Sequence, residues 1–156
     1  SIYSEEELEF IPLDKIQMIQ FPISIFDQHL INKLSFLKSK GISLLGRSIF
    51  LQGLMLKSAK YWPNFISPEF LAHHTKFTNF LKQKNISLLE ASLDFASRQT
   101  SLDFVLIGIT SIRELKEINK TWKKVNTMDD SYQNNYDNWA WQNKSDLDPR
   151  SWPNKS

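Results

Sequence analysis

The amino-acid sequence predicts an α/β fold with parallel strands. Three short runs rich in Ile, Leu and Val lack strict alternation, at residues 15–21, 42–48 and 103–109. Runs of this kind are typical of strands buried on both faces of a parallel sheet. Helical patterns lie between the runs, and the first two runs are close enough in sequence for one right-handed strand–helix–strand crossover.

Composition indicates a single globular domain and excludes several classes of function. The 156 residues are 41% hydrophobic and 13% aromatic, which is enough for a core of ordinary size. A net charge of +2 from 19 basic and 17 acidic residues gives no basis for a nucleic-acid surface. The sequence contains no cysteine, which excludes disulfides, thiolate metal sites and a cysteine nucleophile. Without a membrane-span pattern or a signal peptide, we expect a cytoplasmic protein with no membrane partner.

Two amphipathic helices follow from the spacing of apolar residues. The stretch 27–41 carries leucines and an isoleucine at helical spacing, and Gly41 is placed as its C-terminal cap. A second helix, after Ser111, is expected to present one apolar face. That face consists of Ile112, Leu115, Ile118 and Trp122.

Four helix starts are marked by capping residues. In a capping box, a serine hydroxyl and a glutamate three residues later satisfy backbone N–H groups at the start of a helix. A serine followed by proline gives a cap with proline at the first helical position. The predicted boxes are Ser4 with Glu7, Ser87 with Glu90 and Ser111 with Glu114, and the serine–proline start is Ser67–Pro68.

The last part of the chain differs from the rest. From Asn126 onward the sequence is polar and rich in asparagine, with tryptophans at 139, 141 and 152. A free tail rarely carries three tryptophans. We therefore predict a domain over residues 1–125 and an irregular tail over 126–156, docked by Trp139, Trp141 and Trp152.

Polar residues at the ends of the apolar runs predict where a ligand would bind. Two architectures fit the pattern, an open doubly wound sheet and a closed β/α barrel, and both bind ligands at the carboxyl ends of their strands. Arg47 and Ser48 follow the second run, and residues 108–110 follow the third. A charged group next to a buried strand is costly unless something there uses it. His73 and His74 point to different faces of a helix and lack further ligands, so no metal site is predicted.

Four segments together resemble the aldo/keto reductase family, NAD(P)H-dependent β/α barrels that reduce carbonyls. They are "SIYSEEEL", "IQFPISIFDQ", "GRSIFLQGLML" and "VLIGITSIRELKEI", in the family's order and spacing from Ser1 to about Lys124. The segments "FDQ" and "RSIFLQG", with "LDPRSW" near the end, resemble a bacterial subgroup. The resemblance implies the carboxyl-terminal half of a (β/α)8 TIM barrel, containing strands six to eight. It also implies NADP or NAD as cofactor, with the "GITSIR" stretch favouring NADP, and a small carbonyl substrate for the full-length protein.

The resemblance also implies a set of cofactor-binding residues. Ser1 and Gln20 match residues that hold the nicotinamide amide, although Ile2 replaces the usual polar partner. Arg47 occupies the position of an aromatic that stacks on the nicotinamide, and a planar guanidinium can also stack. The pyrophosphate loop matches Ser48, Phe50, Leu51 and Gln52. The adenosine end matches Gly108, Thr110, Glu114 and Glu117, while Ile118 replaces the family's asparagine.

Several of these residues have a structural alternative. Glu114 is the third residue of a capping box and could serve only there, and Glu117 on the same helix could be solvated. Ser48 could begin a turn, and Gln20 could satisfy the backbone of a neighbouring strand. Arg47 as a plain surface arginine is the weaker interpretation because it directly follows a buried strand.

The resemblance leaves out the family's catalytic residues. Its Asp, Tyr, Lys and His come from the first four strands, so this chain holds the cofactor platform and no residue for proton donation. The start at Ser1 without methionine is typical of a processed chain or a fragment. Two hypotheses remain: a part of an NAD(P)-dependent oxidoreductase, or a non-catalytic half-barrel that acts as a nucleotide-binding or assembly module. Either would expose strand edges and an apolar face, so we expect the missing amino-terminal half or a second copy as partner.

Overall fold

A three-stranded parallel sheet organises the chain. In the computed structural model, which describes residues 1–127 and 135–153, the strands are β1 (Met18–Pro22), β2 (Ser43–Arg47) and β3 (Phe104–Leu106). They lie side by side in the order β1-β2-β3. Ile19 pairs with Leu44 and Gly46 with Val105. The predicted α/β class with parallel strands is therefore confirmed, and each strand is shorter than its apolar run.

Six α-helices accompany the sheet in the described residues. They are α1 (Glu5–Leu8), α2 (Leu34–Ser39), α3 (Pro68–Gln83), α4 (Leu88–Ser97), α5 (Ile112–Val125) and α6 (Lys144–Leu147). The helix predicted over 27–41 is shorter than expected. Its first part forms a turn, in which the backbone N–H of Asp27 donates to the Ser24 hydroxyl at 3.0 Å, and a 3-10 turn at Ile31–Lys33 precedes α2. Gly41 follows the helix with a φ of +75°, as expected of a glycine cap.

The predicted serine caps are present, while the glutamates of the boxes bind other groups. Each hydroxyl accepts a backbone N–H three residues later: Ser4 from Glu7, Ser67 from Phe70, Ser87 from Glu90 and Ser111 from Glu114. The carboxylate of Glu7 accepts from the N–H of Tyr3 at 2.8 Å. Glu90 pairs with Lys124 on α5, at 2.8 Å. The capping box therefore correctly predicts the helix starts but not the partner of the glutamate.

The core covers one face of the sheet. Ile19, Phe21 and Leu44 are buried on this face, and Gly46 lies beside them. A Cβ at Gly46 would lie 2.7 Å from Cγ2 of Ile23 and 3.0 Å from Cδ1 of Leu102. Glycine is thus required here for close packing, not for an unusual backbone conformation.

The tail docks on the outer helices through aromatic contacts. Trp141 stacks on Phe70 with ring centroids 5.0 Å apart, and Trp139 meets Phe77 at 4.9 Å. Trp152 lies 5.6 Å from Phe65. All three predicted tryptophan anchors thus contact aromatic residues of the domain. Residues 128–134 and 154–156 of the predicted tail lie outside the described residues.

The opposite face of the sheet is largely bare. Phe104 and Leu106 of β3 are 57% and 53% exposed, and Met18 of β1 is also exposed. Ile112 at the start of α5 is 73% exposed, and Leu115 follows it on the same helix. The described residues thus bury the strands on one face only, whereas their apolar composition suits burial on both. We refer to Met18, Phe104 and Leu106 as the bare apolar face.

Along residues 1–127 and 135–153, the longest helix is α3, and no helix combines the length and apolar character that crossing a membrane requires.

Candidate functional site

A cavity of about 930 Å³ lies beyond the carboxyl ends of β2 and β3. Its volume is at the upper end of the range for small-molecule sites, roughly 300–1,000 Å³. The walls come from the loop after β2, the segment after β3 and the first turns of α4 and α5. Eight of the eleven predicted cofactor residues line it: Arg47, Ser48, Phe50, Gln52, Gly108, Thr110, Glu114 and Glu117.

The other three predicted residues lie outside this lining. The Ser1 hydroxyl accepts a hydrogen bond from Nη2 of Arg47 at 3.3 Å, so Ser1 is next to the cavity. Gln20 lies on β1 and, by the pairing register, on the same face of the sheet as Arg47. Within residues 1–127 and 135–153 its side-chain amide makes no hydrogen bond and is available to a ligand. Leu51 is only 2% exposed and packs in the core.

The loop after β2 has an unusual backbone. Ser48, Leu51 and Gln52 have φ values of 61°, 45° and 54°, and Gly53 has a φ of 82°. Each non-glycine residue in this region costs roughly 1–3 kcal/mol and persists only where its surroundings fix it. The N–H of Leu51 donates to the Ser48 carbonyl at 2.8 Å, and Leu51 is buried. The core therefore fixes the shape of the loop, and Ser48 and Gln52 face the cavity.

Arg47 supplies positive charge at one end of the cavity. Its Nη1 donates to the Ser48 hydroxyl at 3.1 Å, and its guanidinium lies 4.3 Å from the centroid of the Tyr3 ring. In the part of the chain that the structure describes, no carboxylate lies within ion-pair distance of Arg47. The nearby Arg150, 3.4 Å from the same ring, is instead paired with Asp148 at 2.6 Å. The Tyr3 ring therefore lies within cation–π distance of both arginines.

Two carboxylates on α5 line the cavity, and we refer to this part of its wall as the acidic end. Glu114 accepts hydrogen bonds from the backbone N–H of Thr110 at 2.7 Å and from its hydroxyl at 2.9 Å. These two bonds, the backbone bond first, lower the pKa of Glu114, so the group is ionised at neutral pH. Glu117 follows on α5 and lines the same space. Glu114 thus bonds to Thr110, the residue before the cap Ser111, and also lies in the cavity wall.

Sequence reasoning missed the contribution of α4. The start of this helix forms part of the cavity wall through Ser87, Leu88 and Leu89. The other lining residues that were not predicted are Ile49, Gly53, Leu56, Leu106, Ile107, Ile109 and Ile118. A signal was present, because the capping serine Ser87 marks a helix start. A right-handed strand–helix–strand crossover places the start of a helix near the ends of the strands.

The two adjacent histidines are outside the cavity. Nε2 of His73 lies 2.9 Å from the Trp139 carbonyl oxygen, and Nε2 of His74 lies 3.4 Å from that of Met55. Both side chains thus serve the packing between α3 and its neighbours. Among residues 1–127 and 135–153, no group of three or more His, Asp or Glu side chains could hold a metal ion.

Comparison with known proteins adds no relative. None of the protein-family models matches the chain, and no significant match exists among the curated proteins. The resemblance to the aldo/keto reductases therefore depends on the four quoted segments, and the functional argument depends on the cavity.

Proposed function

We propose that the cavity binds a nicotinamide dinucleotide, and that the chain is the cofactor-binding half of an aldo/keto reductase-like oxidoreductase acting on carbonyls. One observation carries the proposal. Residues that the resemblance assigned to the cofactor in two separate segments, 47–52 and 108–117, line a single cavity. These segments are far apart in sequence, and the parallel sheet brings them together at one edge.

The charge distribution supports a dinucleotide. A pyrophosphate is anionic, and Arg47 faces the cavity while its own hydrogen bonds go to the neutral hydroxyls of Ser1 and Ser48. Ribose hydroxyls can donate to carboxylates, which Glu114 and Glu117 of α5 supply to the cavity. The half-buried Gln20 amide is suited to a carboxamide, because both groups donate and accept.

The topology supports the carboxyl-terminal half of a (β/α)8 barrel over a doubly wound sheet. In the described residues the strands follow one another in sequence order, and the buried core lies on one face of the sheet. A doubly wound sheet carries helices on both faces, whereas a barrel leaves its inner face to be filled by side chains of other strands. The bare apolar face corresponds to such an inner face.

The proposal predicts that the chain alone does not reduce carbonyls. Hydride transfer leaves an oxyanion, and a positioned general acid that protonates it contributes about 10²–10⁴-fold in rate. In the family that this chain resembles, the acid lies on strands that precede the resembling segments. We expect no oxidation of NADH or NADPH when the purified chain is mixed with a panel of aldehydes. Turnover by chain of verified mass would contradict this assignment.

Nucleotide titration of three arginine variants tests the site. Arg47→Ala is expected to weaken NADH binding about tenfold, since each 1.4 kcal/mol is a factor of ten in affinity. Arg47→Tyr should largely restore binding if the guanidinium stacks, and should not if its charge is what matters. Arg113→Ala, at an exposed position outside the cavity lining, is the matched control. Equal affinities for wild type and Arg47→Ala would show that Arg47 has no role.

A second candidate function is a non-catalytic nucleotide-binding or assembly module, and the bare apolar face favours it. Burial of apolar surface contributes about 25 cal/mol per Å², so this face favours association. The partner would be an amino-terminal half or a second copy of the chain. Light scattering of the pure chain separates these cases, because self-association appears without any added partner.

A further inference from the structure

We propose that the acidic end of the cavity selects dinucleotides without a 2′-phosphate, so that NAD(H) binds in preference to NADP(H). This inference rests on the proposed function, because it concerns the same cavity. It reverses the preference for NADP that the "GITSIR" stretch suggested, and it depends on the contacts around Thr110.

Both donors of Thr110 at this end are already occupied. The N–H and the hydroxyl of Thr110 both donate to one carboxylate oxygen of Glu114, at 2.7 and 2.9 Å. A phosphate that approached these donors would meet an ionised carboxylate already in place. A ribose hydroxyl, in contrast, can donate to that carboxylate.

The second carboxylate increases the negative charge. Glu117 lies three residues after Glu114, so both side chains lie on neighbouring positions of the same helix face. Among the described residues that line the cavity, the basic residue is Arg47, which belongs to the loop after β2. Arg113 and Lys116 of α5 are absent from the lining.

The expected selectivity follows from the way dinucleotide-binding proteins recognise the ribose. A carboxylate that accepts a ribose hydroxyl favours the cofactor that has a free hydroxyl, whereas accommodating a 2′-phosphate calls for a nearby arginine. Two carboxylates facing a phosphate monoester repel it. Because both are solvent-accessible, screening limits the discrimination to about tenfold to a hundredfold.

Paired titrations with NADH and NADPH test the inference. We expect the wild-type chain to bind NADH at least about tenfold more tightly than NADPH. The double variant Glu114→Gln, Glu117→Gln keeps one acceptor oxygen on each side chain and removes the charges, and should reduce this ratio about tenfold by improving NADPH binding. Glu69→Gln, at an exposed position in the first turn of α3, removes the same charge elsewhere and should leave the ratio unchanged.

The outcomes separate this inference from the proposed function. If both nucleotides bind and NADPH binds as tightly as NADH or more tightly, the selectivity is wrong and the dinucleotide site stands. An unchanged ratio in the double variant would likewise overturn the role of the two carboxylates. If neither nucleotide binds, the proposed function fails and this inference fails with it.

Discussion

Replacement of Asp146 by asparagine tests how the tail is held on the domain. Asp146 is 5% exposed and accepts four hydrogen bonds. Two come from Ser67, from its N–H at 3.1 Å and its hydroxyl at 2.8 Å. The others come from Nε1 of Trp141 at 2.9 Å and from Asn143 at 3.1 Å. One carboxylate thus joins the tail to the start of α3.

The expected loss of stability follows from the chemistry of an amide at this position. Asparagine can accept through one oxygen only, and its NH₂ group would face a donor on the other side. A hydrogen bond to a charged group contributes about 1.5–3 kcal/mol, and a buried donor left unpaired costs about 1–3 kcal/mol. With at least one bond lost and the others weakened, the free energy of unfolding should fall by about 2–4 kcal/mol.

Urea unfolding followed by tryptophan fluorescence measures this change, since Trp141 itself bonds to Asp146. The control is Asp137→Asn, the same substitution at an exposed position of the tail. It should change stability by less than about 0.5 kcal/mol. If Asp146→Asn changes stability as little as the control, the carboxylate does not anchor the tail and the reasoning is refuted.

Three further predictions concern packing, pH and association. Gly46→Ala should destabilise the chain by about 1–3 kcal/mol, because its Cβ would lie 2.7 Å from Ile23. In the same unfolding assay Gly108→Ala, with nothing within 4 Å of the new Cβ, should be neutral. Burial lowers the pKa of His74 in the folded state below its ordinary value of 6.5. As the pH falls below 6.5, the unfolded state therefore binds a proton at this histidine before the folded state does. The free energy of unfolding decreases as a result. His74→Gln should flatten this pH dependence in urea titrations at several pH values, and an unchanged slope would be contrary evidence. Phe104→Lys places a charge on the bare apolar face, outside the cavity lining, and should reduce the association that light scattering detects at micromolar concentration, whereas undiminished association would assign the interface elsewhere.

The sequence predicted the sheet and the helix starts well because local signals determine them. Short apolar runs located all three strands, and the capping serines located the starts of α1, α3, α4 and α5. The loop after β2 was assigned to a site because Arg47 directly follows a buried strand. Eight residues assigned from the resemblance line one cavity because parallel strands end at the same edge.

The remaining features depend on tertiary contacts that have no local signature. The Gln28 side chain donates to the Tyr136 carbonyl oxygen, 108 residues away, in the part of the helix predicted over 27–41 that precedes α2 and is not α-helical. Leu51 turns into the core because the loop has left-handed residues, and no periodic pattern indicates the direction of such a side chain. The bonds of Asp146 to Ser67 join residues 79 apart, so their position could not be read from the sequence.

Mapping backbone amide shifts on addition of NADH tests the dinucleotide site most directly. The predicted result is a concentration-dependent shift of the amides of Ser48, Gln52, Gly108 and Thr110, which line the cavity. The amide of Trp141, which donates to the Phe26 carbonyl in the tail contact, should not move. Shifts confined to the tail or to the bare apolar face, or no shift at millimolar NADH, would contradict a dinucleotide site at the carboxyl ends of β2 and β3.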